Sequence, residues 1–83
     1  MNKFSVSVWA KGGEFGIRPI GSVQEAQIFL DGWPMEKRGP TYYAAANSMQ
    51  SAEEGSLPAN EARAALIEFL DEAGALAEEQ LRP

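Results

Sequence analysis

The sequence predicts an α+β fold in which an N-terminal two-stranded antiparallel β-hairpin is followed by three α-helices, in the order ββααα. Three observations lead to this prediction. Phe4, Val6 and Val8 alternate with Ser5, Ser7 and Trp9, the period-2 pattern of a half-buried strand. A Gly-Gly pair then follows, which is a strong signal for a tight hairpin turn. From Val23 to Leu76 the apolar residues recur at helical spacing, between glycines and prolines that separate the helices.

The register of the hairpin follows from its turn. If Gly12 and Gly13 form a two-residue loop, Ala10 lies opposite Phe15. A slip of one residue would scatter the apolar side chains over both faces of the sheet, so the pattern supports this pairing. The register predicts one uniformly apolar face, composed of Phe4, Val6, Val8, Ala10, Phe15, Ile17 and Pro19.

The other face of the predicted hairpin carries an aromatic and a cationic residue. Trp9 is expected opposite Gly16, with Arg18 diagonally within reach. One interpretation is local support of the sheet, because a ring can cover a glycine and an arginine can stack on the ring. The other is a contact patch of Trp9, Arg18 and Ile20, because two strands leave both edges and one face uncovered. Pairing of two copies edge to edge would then form a four-stranded sheet.

The first helix is predicted from Val23 to Asp31. Residues 22–25 form a capping box, in which a serine hydroxyl and a glutamate carboxylate satisfy free backbone N–H groups. Gly32 is expected to end this helix in a left-handed conformation, with Trp33 folding back onto Ile28.

Proline and glycine also delimit the second and third helices. Pro40 suits the first turn of the second helix, and Gly55 is its expected end. The third helix is expected to begin near Pro58 and to stop at Gly74. Their apolar stripes are Tyr42, Ala45, Ala46, Met49 and Ala52, then Ala59, Ala62, Leu66, Phe69, Ala73 and Leu76.

Length and composition bound the function. Eighty-three residues suffice for one domain, residues 1–83, with an ordered core of about 3–76 and a flexible tail over 77–83. The chain has no histidine and no cysteine, so the common general base, the commonest metal ligand and every thiol are missing. We therefore expect no enzyme, no metal and no cofactor. Without an apolar signal core or a stretch near the ~20 apolar residues that cross a bilayer, we expect a cytoplasmic protein that does not bind membranes.

Charge is divided unevenly along the chain. Residues 1–40 carry a net charge of +1, whereas residues 41–83 carry −6. Acidic helices repel phosphate backbones, and the second helix offers little beyond Asn47 and Gln50 to read bases. We therefore expect no nucleic-acid binding, and we interpret the acidic side chains as solvated helix faces.

A second candidate surface surrounds the end of the first helix. A tryptophan at a helix end is usually a core plug, but Trp33 is followed by two cations and two tyrosines, a mixture that interface hot spots favour. Arg63 lies near the start of the third helix, where the helix dipole disfavours a cation, so we expect an acidic partner from the chain (Glu25, Asp31 or Glu36) or from a ligand. The candidate interaction surface is Trp9, Arg18, Trp33, Lys37, Arg38, Tyr42, Tyr43 and Arg63.

These residues also resemble those of a known family. A helix, Trp33-Pro34, a basic connector, an alanine-rich helix, Gly55, Pro58 and the segment 61–66 follow one another as in the domain of unknown function 982 family of small bacterial proteins. The resemblance covers most of residues 4–76. The family pattern leads us to expect a cysteine in the second helix, which this chain lacks. The resemblance implies kinship of fold and brings no known activity.

Two hypotheses of function follow. The first is a non-catalytic protein-interaction or regulatory domain whose partner is another protein or a second copy, as a homodimer through the β-hairpin. The second is a small-ligand sensor that binds an anionic metabolite near Lys37, Arg38 and Arg63.

Overall fold

The computed structural model describes residues 3–12 and 16–77 and confirms the predicted α+β order. A short 3₁₀ turn, Met35–Lys37, links the first two helices. The predicted tail over 77–83 lies, apart from Ala77, outside the described residues. The elements are β1 Lys3–Gly12, β2 Gly16–Ser22, α1 Val23–Asp31, α2 Pro40–Glu53 and α3 Ala59–Ala73.

The hairpin register differs by three residues from the predicted one. Ala10 pairs with Arg18, and Gly12 pairs with Gly16, so Gly12 belongs to the sheet instead of the loop. The predicted partner Phe15 lies outside the described residues. A shift by an odd number turns every β2 side chain to the opposite face. Ile20 is therefore fully buried, while Ile17 is 49% exposed, and the prediction that Ile17 and Pro19 face the core is wrong.

A bulge interrupts β1 near its start. The pairing changes register between Lys3, opposite Ser22, and Val8, opposite Ile20. In this stretch Val6 is 57% exposed, so its predicted place on the apolar face is also wrong. Residues in a bulge lose their hydrogen-bond partners on the neighbouring strand, so their backbone N–H and C=O groups need partners elsewhere.

Side chains of α3 bind the backbone of the bulge. The Ser5 N–H donates to Oδ1 of Asn60 over 3.0 Å. The Arg63 Nε–H donates to the carbonyl oxygen of Val6 over 2.7 Å. The first turns of α3 thus supply hydrogen bonds that β2 does not make here.

The far end of β1 is bound by the chain that follows α3. Gly74 is left-handed, with φ of 73°, and turns the chain back after the helix. The Lys11 N–H then donates to the Ala75 carbonyl over 2.7 Å, and the Ala77 N–H donates to the Trp9 carbonyl over 3.0 Å. Residues 75–77 therefore cover the outer edge of β1 along Trp9–Lys11.

The outer edge of β2 has few groups left to pair. Because Trp9 and Lys11 bond away from β2, the β2 groups that point outward belong to Ile17, Pro19 and Gly21. Pro19 has no N–H, which suits an edge position. The Gly21 N–H already donates to a carboxylate oxygen of Glu25 over 2.7 Å. Few free backbone hydrogen-bonding groups therefore remain at the edge of either strand for edge-to-edge pairing into a four-stranded sheet.

The end of α1 differs from the prediction. Gly32 is right-handed, with φ of −85° and ψ of 0°, so the predicted left-handed stop is wrong. The Trp33 N–H donates to the Leu30 carbonyl over 3.0 Å, and the Trp33 ring lies 5.9 Å from the ring of Phe29. Ile28, the predicted contact of Trp33, is 68% exposed. A glycine permits the left-handed conformation but does not require it.

The core lies between the inner face of the hairpin and the three helices. The predicted stripes of α2 and α3 supply much of it, and the C-terminal segment after Gly74 adds to it. Its buried members are Phe4, Val8, Ala10, Ile20, Val23, Ala26, Leu30, Tyr42, Ala45, Met49, Ala52, Ala62, Leu66, Phe69, Leu70, Ala75 and Leu76.

Replacing each of the two glycines at helix ends with alanine should have a different effect on the free energy of unfolding. Gly74→Ala should lower the free energy of unfolding by about 1 kcal/mol, because φ of 73° strains an L side chain. Gly32→Ala should be neutral or raise it by about 0.5 kcal/mol, because its φ is negative and the added Cβ meets only the Phe29 carbonyl at 3.6 Å. Urea unfolding of both variants measures the difference, and an equal loss in Gly32→Ala would contradict the right-handed end of α1.

Candidate interaction surface

The side of the sheet that faces away from the core carries a small apolar patch. Trp9 lies directly opposite Pro19, and Lys11 lies opposite Ile17, both as pairs without mutual hydrogen bonds, in which side chains come closest. Trp9 is 39% exposed and Ile17 is 49% exposed. We call Trp9, Lys11, Ile17 and Pro19 the outer hairpin face.

Arg18 is separated from Trp9 by the corrected register. It lies opposite Ala10, and its guanidinium carbon is 5.9 Å from the centroid of the Phe29 ring. Ile20 is fully buried. The predicted contact patch of Trp9, Arg18 and Ile20 is therefore wrong, because the three side chains do not share the outer face.

Trp33 is part of an aromatic cluster at the core boundary. Its ring meets the Phe69 ring edge-on at 5.0 Å, and the Phe69 ring meets the Tyr42 ring at 5.6 Å. Trp33 is half-buried, and its indole nitrogen is buried without a hydrogen-bond partner in the described part of the chain. This position agrees with the core-plug interpretation.

The two tyrosines have different environments. Tyr42 is 4% exposed, and its hydroxyl donates to the Leu30 carbonyl over 2.8 Å. This bond ties α2 to the end of α1. Tyr43 is 52% exposed and touches Tyr42 edge-on at 5.1 Å. Of this pair, only Tyr43 offers a free ring surface.

Arg38 binds the carbonyl end of α1. Its Nε donates to the Trp33 carbonyl over 3.1 Å, and a second guanidinium nitrogen donates to the Asp31 carbonyl over 3.2 Å. The guanidinium carbon also lies 4.7 Å from the centroid of the Tyr42 ring. A cation at this end complements the helix dipole. Lys37, next to it in the chain, is exposed.

Arg63 has a backbone partner in place of an acidic one. It donates to the Val6 carbonyl, not to Glu25, Asp31 or Glu36 as expected. Arg38 and Arg63 are thus each bound to a separate backbone segment, one in the loop after α1 and one in β1. This placement gives no support for a shared anion pocket of Lys37, Arg38 and Arg63.

A groove of about 300 Å³ lies between α1 and α2, and sequence reasoning missed it. A sequence signal for it is the small side chain of Ala46, which lines the groove beside Leu30 and Tyr42. The lining residues are Gln27, Leu30, Asp31, Tyr42, Ala46 and Gln50.

Residues 3–12 and 16–77 contain neither a cluster of metal ligands nor a helix that could span a membrane. Within these residues, no group of three or more Asp and Glu side chains is placed to hold a metal ion. Within the same ranges, every helix is too short or too polar to cross a membrane.

Comparison with known proteins identifies a family. A family model described as "Protein of unknown function (DUF982)" matches residues 7–77, which include all three helices and most of the hairpin. No curated protein and no solved structure matches significantly.

Adjacent cations allow a matched test of the role of Arg38. Arg38→Met should lower the free energy of unfolding by about 1–2 kcal/mol, because two hydrogen bonds and the contact with Tyr42 are lost. Lys37→Met removes the same charge from an exposed side chain and should change it by less than about 0.5 kcal/mol. Thermal and urea unfolding compare the two, and equal effects would contradict a structural role for Arg38.

Proposed function

The chain belongs to the DUF982 family of proteins of unknown function, and we propose that it is a non-catalytic interaction module that self-associates through its outer hairpin face. The observation that supports this proposal is the neighbouring exposure of Trp9 and Ile17 on the sheet face turned away from the core. Tryptophan is among the residue types that most often anchor an interface, and an exposed apolar patch is a common contact surface.

The groups around the outer hairpin face favour contact through the face and not through an edge. Residues 75–77 already pair with β1 along Trp9–Lys11. On β2, Pro19 lacks an N–H and the N–H of Gly21 is bound by Glu25. A partner that added a strand would find few free donors, whereas a partner laid on the face would cover Trp9 and Ile17.

Charge favours a second copy of the chain as this partner. Residues 41–83, which include α2 and α3, carry −6, so two copies that met through these helices would repel each other. Residues 1–40, which include the hairpin, carry only +1. A two-fold axis through the outer hairpin face keeps the acidic helices apart, and Lys11 is the one charged residue among the four of that face. Such an interface is self-complementary, with each Trp9 set against the same face of the second copy.

Two isoleucine variants test self-association. Ile17→Lys should weaken dimerisation at least about tenfold, because a charge is placed where apolar surface would be buried. Ile28→Lys adds the same charge on an exposed position of α1, 68% exposed, and should leave dimerisation unchanged. Sedimentation equilibrium over a series of concentrations measures both dissociation constants.

Two outcomes would overturn the proposal. One is a wild-type chain that remains monomeric at about 1 mM, because a dimer with a dissociation constant of about 1 mM or below would be clearly populated at that concentration. The other is an equal loss of dimer in both variants, which would indicate a general effect of added charge. Circular dichroism spectra of the variants check that each is folded, so that a loss of dimer can be distinguished from a loss of fold.

A further inference from the structure

The groove between α1 and α2 has the chemistry of a cation site, and it is separate from the outer hairpin face. We propose that it binds an alkylammonium or alkylguanidinium group, the chemistry that a free diamine shares with a lysine or arginine side chain. The proposal does not depend on self-association, and its test does not use dimerisation.

The floor of the groove is apolar and suits an aliphatic stem. Leu30 is 2% exposed and Tyr42 is 4% exposed, and both line the groove together with the small Ala46. A volume of about 300 Å³ accommodates one extended side chain or a short diamine. Such mixed sites, with an apolar floor and a few placed polar groups, are typical of small-ligand binding.

The polar lining includes two glutamine side chains, Gln27 and Gln50. The amide nitrogen of Gln27 donates to Glu53 over 3.1 Å, and that of Gln50 donates to Glu54 over 3.3 Å. A carboxylate only accepts hydrogen bonds, so these contacts orient each amide by its nitrogen and leave its oxygen available as an acceptor. Both glutamines are thereby held by negative charges at the end of α2.

The lining contains no charged donor that could pair with an anion. The hydroxyl hydrogen of Tyr42 is used by the Leu30 carbonyl over 2.8 Å. The lining residues include no lysine and no arginine. Arg38 binds the backbone carbonyl of Asp31 but does not line the groove, so the charge that the lining itself contributes is the Asp31 carboxylate. The groove therefore favours a group that only donates and carries positive charge.

Asp31 is placed against the ordinary preference of helices. It is the last residue of α1, where the dipole disfavours an acid, and the last turn contains no basic residue. Residues that oppose a local stability rule are candidates for function. Arg38 complements the dipole through the Asp31 backbone carbonyl, so a bound cation would add a partner for the Asp31 carboxylate itself.

An NMR titration with two matched probes tests the site. N-acetyl-lysine methylamide should shift the backbone amides of Leu30, Ala46 and Gln50 in a saturable manner. N-acetyl-norleucine methylamide, which has nearly the same shape without the charge, should not. Equal shifts with both probes would overturn the proposal, because binding would then not depend on the charge. No shift with either probe at about 20 mM would overturn it as well, because the groove would then not act as a binding site.

Replacing the carboxylate identifies its contribution. Asp31→Asn should weaken binding of the lysine probe about tenfold, while the melting temperature stays the same or rises because an acid leaves the end of α1. Asp71→Asn removes the same charge from an exposed position of α3 and should leave the affinity unchanged. If the affinity for the lysine probe falls equally in both variants, the loss is caused by the change in net charge. That result would contradict a site at Asp31.

A second comparison separates the two sources of the cation. If 1,4-diaminobutane binds more tightly than the lysine probe, a free amine is the ligand, and the reverse order indicates a side chain of a protein. The Ile17→Lys variant should bind the tighter probe with unchanged affinity, since Ile17 is not among the residues that line the groove. This result keeps the site distinct from the outer hairpin face even if the chain proves to be monomeric.

Discussion

The rest of the fold depends on the hydrogen bonds that α3 and the segment after it make to β1. A two-stranded hairpin is at best marginally stable in water, and this one cannot bury its inner face without the helices. At the start of β1, Asn60 and Arg63 bind backbone groups of Ser5 and Val6. At its end, residues 75–77 add two backbone hydrogen bonds after Gly74 reverses the chain. β1 is therefore fixed at both ends by one helix and its extension.

The hydrogen bonds between α3, its C-terminal extension and β1 determine which surfaces of the hairpin remain exposed. These hydrogen bonds occupy the outer edge of β1, and with Pro19 on β2 they leave the face of Trp9 and Ile17 as an exposed apolar surface of the sheet. The same logic explains the arginines. Arg38 and Arg63 bind backbone carbonyls that the helix end and the bulge leave without partners, so two cations that could have served a ligand complete the fold.

Local signals in the sequence were sufficient for the elements but not for their register. The capping box and the glycine at 55 act within one turn, and α1 and α2 have the predicted bounds. The predicted register was wrong because β2 has apolar residues at both Ile17 and Ile20, which lie on opposite faces of the strand. Alternation alone therefore does not decide which face of β2 is buried. The bulge depends on Asn60 and Arg63, which are 55 and 57 residues from their partners, and no local pattern reveals such contacts. The α1–α2 groove was not predicted from the sequence for the same reason, because it forms only where the two helices pack together.

Amide hydrogen exchange measured by NMR at low protein concentration tests most directly whether β1 is covered and the β2 edge is free. The structure predicts slow exchange at Lys11 and Ala77, whose N–H groups bind the Ala75 and Trp9 carbonyls. It predicts fast exchange at Ile17, whose N–H points away from β1. Fast exchange at Lys11 and Ala77, or strong protection at Ile17, would contradict this arrangement of the sheet and the surface proposed from it.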